Sequence, residues 1–415
     1  TGHLTALVDE HGETDFTGRD ETSTEATVLY VDDDTLVLDR TPFYAESGGQ
    51  IGDTGTVTGG GVTIDVTDTR YGVPGIHVHV ISGSGGLEAG QVVTATIDDD
   101  RRSAIRRNHT ATHILHHALR EVLGEHVKQQ GSYVGPDRLR FDFSHYEGLT
   151  PEQLAEIEDR VNAEVLDNGA CRHFETTMET AEQLGAIAFF GDKYGDVVRV
   201  LEAGRNSVEL CGGTHVGRTG DVSLLRIVSE SAVAGGVRRI EAVTEAGALE
   251  WIDRRERALT EAADLLKVSP EQLAERVARL VEDNRKAERD ITSLRRKLAA
   301  GGTGGDAPSV VNGVNFVGRL LEDTPARELK SMADEIKANL TNAVICLVAT
   351  DNGKASIVVA VTPDLAESRN AVDLVKAGSA ALGGGGGGGR PDMAQAGGPN
   401  ADAASAAIEA VSAAL

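Results

Sequence analysis

Three cysteines, a single tryptophan and an aromatic content of 4% set the first limits on this 415-residue chain. Cys171, Cys211 and Cys346 are too few and too scattered to frame a disulfide-built fold, which fits a reducing compartment. No apolar run approaches the length that crosses a bilayer, and the N-terminus lacks a signal-peptide pattern. The expectation is a soluble, cytoplasmic protein with no membrane partner. Basic residues are also scarce at the start: residues 1–100 hold 19 Asp and Glu against Arg19, Arg40 and Arg70, most of the net charge of −25. Such a region does not bind a phosphate backbone broadly. A polyanion has better access near Arg101, Arg102, Arg106 and Arg107, or near Lys128, Arg138 and Arg140; a solvated helix face is the alternative reading.

What the chain does have is two short segments rich in metal-binding side chains. Asn108-His109-Thr110-Ala111-Thr112-His113 and Cys211-Gly212-Gly213-Thr214-His215 each offer two ligands at i, i+4. The first lies in a helix-compatible run, so both histidines project from one face, one turn apart. The second follows the strand-like Asn206–Leu210, where Gly212 and Gly213 permit a turn or short helix start that brings Cys211 and His215 together. One such pair is common by chance, and His116 and His117 show how His-rich the helix is. Two pairs make His109, His113, Cys211 and His215 a plausible tetrahedral set for zinc. Four protein ligands suit a structural ion, whereas a catalytic ion usually keeps one position open.

The surrounding pattern predicts an α+β multidomain chain. Residues 1–100 form a small β-barrel, with short Val/Ile/Thr runs separated by Gly and Asp turns. Within it, Phe43–Gln50 is too polar and glycine-rich for a core strand and reads as a functional loop. Residues 101–250 form an α+β sandwich carrying both metal pairs. Strands are expected at Leu139–Phe143, Val197–Leu201, Val208–Leu210, Val222–Val228 and Ile240–Val243. A helix starts at Thr150-Pro151-Glu152-Gln153 by N-cap, N1 proline and capping-box logic. Residues 251–300 carry a heptad seam, Leu273, Val277, Leu280, Asn284, Ala287, Ile291, Leu294 and Leu298. It serves either a dimer, through residues 256–300 and the C-terminal domain, or an internal helical hairpin. Gly301–Gly305 reads as a linker, and residues 301–415 as a small α/β domain. The run Gly383–Gly389 is either a floppy linker or a place where backbone amides approach a ligand, with Arg390 beside it to meet RNA.

Taken together, several segments closely resemble the C-terminal half of the alanyl-tRNA synthetase family. They are Phe43–Gln50, Asn108–His113, Gly124–Ser132, Arg140–His145, Cys211–His215 and Gly389–Gln395, in the family's order, with Asp15-Phe16-Thr17-Gly18 similar to the segment before its editing region. The resemblance implies an editing domain, a coiled-coil segment and a C-terminal tRNA-binding domain. The implied reaction is hydrolysis of the ester in mischarged Ser-tRNA(Ala) and Gly-tRNA(Ala). It makes His109, His113, Cys211 and His215 zinc ligands and places Gln129 in the editing pocket. Thr112 and the Gly48–Gly49 pair would read the serine hydroxyl, and Arg390 would contact tRNA. Aminoacylation, with its ATP site, is expected of the full-length protein only, so this stretch reads as a fragment unable to activate alanine. Two rivals stay open: a free-standing deacylase acting in trans, and a non-catalytic RNA-binding and dimerisation module with structural zinc.

Overall fold

The computed structural model describes residues 2–187, 195–300, 307–351 and 353–415, and of 296–300 the backbone only. The chain divides into two compact units, residues 1–261 and 262–415. No helix among the described residues is long and apolar enough to cross a membrane.

In the first unit, six strands close into a barrel in the order Ser23–Val31, Thr35–Leu38, Ile76–Ile81, Val62–Val73, Gly55–Gly59 and Val92–Ile97. Alternation explains the closure: Ala26, Val28, Ile64, Val66, Val93, Ala95 and Ile97 sit at every second position and fill the barrel interior. The segment Phe43–Gln50 is no free-standing loop at its start, since Phe43, Tyr44 and Ala45 are buried. Closing the barrel against the next element is Arg102, 0% exposed. Its Nε donates to both oxygens of Asp53 at 3.1 and 2.9 Å, Nη2 also pairs with Asp53, and Nη1 and Nη2 reach the carbonyls of Gly18 and Pro42. This takes Arg102 out of the basic face expected near residue 101. Arg101 likewise donates to the Gly52 carbonyl at 2.9 Å, and Arg107 pairs with Glu245 at 3.4 Å.

The helix Asp99–Leu123 begins at Asp98, whose side chain accepts from the Arg101 N–H, and carries acids in its first turn as the helix dipole favours. It packs with the helix Pro151–Asp167 on an antiparallel sheet ordered Leu225–Ala234, Val237–Thr244, Leu139–Ser144 and Gln129–Val134. Phe141, Phe143 and Ile240 meet Ile114, Leu115, Ile157 and Val161 in that core. The second helix has the expected capping box between Thr150 and Gln153, and it ends at Asn168 in the left-handed conformation. A separate three-stranded sheet, Cys171–Thr177, Val197–Ala203 and Ser207–Leu210, holds up the Cys211 segment. The strands Gln129–Val134 and Cys171–Thr177 lie outside the expected set, because Gly131 and the polar Arg172, His173, Glu175 and Thr176 around Phe174 hide the period-2 signal. Val222, expected in a strand, lies in a short 3₁₀ turn, Thr219–Val222.

The second unit holds a six-stranded sheet ordered Ser309–Val311, Val314–Glu322, Ala343–Asp351, Lys354–Val361, Met393–Gly398 and Gly387–Arg390. Val344, Cys346 and Val348 face one apolar cluster while Ile345, Leu347 and Ala349 face another, so both faces are covered by helices and the strands read as continuous apolar runs. The glycine run corrects the floppy-linker reading. Its end, Gly387–Arg390, is an edge strand paired antiparallel with Met393–Ala396. Glycine is needed there for close packing: a Cβ on Gly387 would lie 2.7 Å from Val375 Cγ1, and one on Gly384 2.1 Å from the Gly397 carbonyl. Leu273–Ala300 is one continuous helix, and of its seam Val277, Leu280, Ile291 and Leu294 are exposed, Val277 to 44% and Leu294 to 59%. The linker expected at Gly301–Gly305 lies outside the described residues.

Candidate functional site

His109 and His113 leave the helix Asp99–Leu123 one turn apart, as their spacing requires, and both are buried. Opposite them, Cys211 follows the strand Ser207–Leu210, and its N–H donates to the Arg199 carbonyl at 3.0 Å. The chain then turns tightly. A Cβ on Gly213 would lie 2.2 Å from His109 Cε1, so only glycine lets the backbone pass this close to the ring. The result is that ligand atoms of His109, His113, Cys211 and His215 all lie within 4.8 Å of one another. Cys211 Sγ stands 3.5 Å from His109 Nε2 and 3.2 Å from His215 Nε2. A tetrahedral zinc with ordinary Zn–N and Zn–S bonds spaces such atoms by about 3.5 Å.

Each imidazole is oriented from behind through Nδ1. His109 Nδ1 is 2.7 Å from Gln50 Oε1, and because that oxygen is only an acceptor, Nδ1 carries the proton and Nε2 is free to ligate. Gln50 is fixed in turn, accepting from the Thr214 N–H at 3.0 Å and donating to Thr214 Oγ1 at 2.8 Å. His113 Nδ1 donates to Glu209 Oε2 at 2.5 Å, and the other oxygen of Glu209 accepts from His116 Nδ1 at 2.8 Å. Thr110 Oγ1 lies 3.2 Å from His215 Nδ1. Such outer partners set the tautomer and basicity of metal-binding histidines.

The electrostatics follow from this packing. Burial alone would raise the Cys211 thiol, but His109, His215 and His113 outweigh it and hold it well below the usual thiol range, which favours the thiolate. Burial opposes a charged His113, yet Glu209 overcomes this and lifts it to about 10; burial likewise opposes an ionised Glu209, and His113 and His116 hold it at about 2. His215 is pushed well down, by burial first and by His109 next, so it stays neutral. Thiolate and imidazole donors with oriented Nδ1–H groups are a set that fits zinc. By contrast the other thiols are pushed up by burial, Cys171 to about 11 and Cys346 further.

Beside the cluster lies a cavity of about 670 Å³ lined in part by Gly48, Gly49, Thr112 and Gln129 together with His109 and Cys211. Thr112 Oγ1 donates to the Asn108 carbonyl at 2.7 Å, which spends its proton and leaves lone pairs to accept. Gln129 Nε2 donates to Ser132 Oγ at 3.2 Å, and Ser132 Oγ donates to the Gly48 carbonyl at 3.3 Å. Gly48 and Gly49 have φ of +59° and +89°, and a Cβ on Gly49 would meet Ser132 Oγ at 2.2 Å. The two-glycine turn is thereby locked onto the strand Gln129–Val134. Arg390 belongs to the second unit and is no bare cation: its Nε donates to Asp392 at 3.1 Å, and Asp392 also faces Lys337 at 3.4 Å.

Sequence reasoning missed Gln50, Glu209, Thr110 and His116 as supports. Glu209 was findable, since it stands two residues before Cys211 at the end of an extended segment. Gln50 was not, because its partners lie 59 and 164 positions away.

Comparison with known proteins agrees with the geometry. The family models for "tRNA synthetases class II (A)", "Threonyl and Alanyl tRNA synthetase second additional domain" and "DHHA1 domain" match residues 11–101, 198–241 and 313–415. The alanine–tRNA ligase of Paramagnetospirillum magneticum is 49% identical over 387 residues, covering 92% of this chain and 44% of the relative. That of Chelativorans sp. is 47% identical over 439 residues, covering 99% of this chain and 50% of the relative. Among solved structures, the C-Ala domain of Aquifex aeolicus alanyl-tRNA synthetase matches 26% of this chain and 99% of its own, at 24% identity and a TM-score of 0.24, too low to show a shared fold. On the strength of near-complete coverage at almost half identity, the chain belongs to the alanyl-tRNA synthetase family and spans about half the length of the curated relatives it matches.

Proposed function

We propose that this chain is the proofreading portion of an alanyl-tRNA synthetase, hydrolysing the ester of Ser-tRNA(Ala) and Gly-tRNA(Ala) at the site described above. The observation that carries the reading is the convergence of His109, His113, Cys211 and His215 beside a cavity that also holds Gly48, Gly49, Thr112 and Gln129. Need for such a site follows from specificity: an alanine pocket cannot strongly reject a smaller glycine, and size alone excludes an added hydroxyl poorly. Hydrolysis adds water across the ester, the bond from the carbonyl carbon to the ribose oxygen breaks, and that oxygen regains a proton.

Three Nε2 atoms and the Cys211 thiolate would hold zinc, which supplies a fixed positive charge beside the ester. The chain's own groups do the reading. Thr112 Oγ1, its proton committed to the Asn108 carbonyl, accepts from a serine hydroxyl and finds no partner on an alanine methyl. Gln129, tied through Ser132 to the Gly48–Gly49 turn, fixes the opposite wall. Residues 301–415, with Arg390, are assigned to tRNA binding, and the exposed seam residues Val277, Leu280, Ile291 and Leu294 to pairing with a second copy.

The test is release of amino acid from Ser-tRNA(Ala), Gly-tRNA(Ala) and Ala-tRNA(Ala) by the zinc-loaded and chelated protein. Hydrolysis of the first two and sparing of the third is expected, with loss on chelation and in Cys211→Ala. No hydrolysis by the zinc-loaded protein would instead leave an RNA-binding module with structural zinc, the reading that a closed four-ligand shell favours.

A further inference from the structure

Two arginines line the same cavity and have no part in the chemistry assigned so far. Arg19 and Arg199 share the lining with His109 and Cys211. Both are tied to the segment that carries the thiolate: Arg19 Nη2 reaches the Gly212 carbonyl at 3.4 Å, and the Arg199 carbonyl accepts the Cys211 N–H at 3.0 Å. Arg19 also lies over the Phe16 ring, 5.1 Å from its centre.

Neither guanidinium is satisfied. The Nε of each is buried and has no hydrogen-bond partner among the described residues. No ion pair with either is found among those residues. Asp20, next in sequence to Arg19, and Glu175, opposite Arg199 in the strand register, act on Arg199 through space only. Arg19 and Arg199 line one cavity, so two like charges share it. Buried donors and repelling like charges are costly unless an anion joins them. A planar fork with several N–H groups is built for phosphate oxygens. The same lining includes Tyr71, 46% exposed, a ring on which a base can stack.

We infer that Arg19 and Arg199 together hold the phosphate on the 5′ side of the terminal nucleoside that bears the aminoacyl ester, with its base against Tyr71. The inference rests on the deacylase reading and assigns it two positioning residues. They fix the ester relative to the metal cluster through a group that takes no part in the bond broken.

The experiment compares two small esters, 3′-O-seryl-adenosine and its 5′-monophosphate, with the full zinc-loaded chain. The expected kcat/KM is about tenfold higher for the phosphorylated ester, the value of one charge-assisted contact. Arg19→Gln and Arg199→Gln each bring that ratio towards one, while Arg19→Lys and Arg199→Lys keep part of it. A ratio taken within one protein is insensitive to how much of it is folded, and if a Gln variant is too slow to measure, its Lys counterpart is read instead, for a ratio below that of the wild type. Equal hydrolysis of both esters by the wild type, or a full preference kept in the variants, overturns the phosphate site alone. Failure of the wild type on both esters and on Ser-tRNA(Ala) overturns the deacylase reading and this inference with it.

Discussion

Replacing Glu209 by Gln isolates what holds His113 in place. The wild-type carboxylate is buried and accepts from two imidazoles, His113 at 2.5 Å and His116 at 2.8 Å. An amide keeps the shape but has one oxygen and one NH₂. With its oxygen kept on His113, its NH₂ faces His116 Nδ1, which must then accept, so the proton moves to His116 Nε2, a buried atom with no partner among the described residues. The geometry of His113 survives, but the negative charge that raises its basicity is gone. Loss of such an outer partner costs about 10- to 100-fold in metal affinity, or about 1.4–2.7 kcal/mol. Competition with a chromogenic chelator measures this directly. We expect Glu209→Gln to bind zinc that much more weakly, and to recover most Ser-tRNA(Ala) hydrolysis when zinc is in excess. Wild-type zinc affinity in the variant would refute the claim that Glu209 tunes His113. Affinity lost together with hydrolysis that excess zinc does not restore would refute the claim that its role is confined to the metal.

Gly49→Ala is expected to lower Ser-tRNA(Ala) hydrolysis at least tenfold with little effect on zinc content, because φ of +89° and the approach to Ser132 force the turn off its strand; unchanged kcat/KM would count against that turn as a cavity wall. Arg102→Ala strands Asp53 in a site 1% exposed and should cost about 3–5 kcal/mol in urea unfolding, whereas an effect below about 1 kcal/mol would mean that the pair is not structurally required. For His79, burial lowers the pKa from 6.5 to about 4. The unfolded chain therefore binds a proton that the folded one refuses, and stability falls as pH drops from 6.5 towards 4, by about 3 kcal/mol at most. His79→Gln should flatten that part of the profile, and parallel profiles would contradict it. Finally, Ile291→Asp with Leu294→Asp should shift sedimentation from dimer to monomer; a wild type that sediments as a monomer removes the pairing assigned to the seam.

Local pattern alone was enough for several elements. The i, i+4 spacing put His109 and His113 on one helix face, period-2 alternation marked the barrel strands, and Thr150–Gln153 declared its own helix start, because each signal is confined to one or two turns of chain. It also named the four side chains that come together, since His and Cys have few other reasons to recur in that way. Tertiary structure decided everything that depends on distant partners. Only packing shows that Gln50 and Glu209 orient His109 and His113, or that Arg102 is buried against Asp53 rather than offered to a polyanion. Likewise the glycine run ends in an edge strand that Val375 and Ala396 press against. Charge and composition record which groups are present, while burial and hydrogen-bond geometry decide which of them are neutralised and which, like Arg19 and Arg199, are left to meet a ligand.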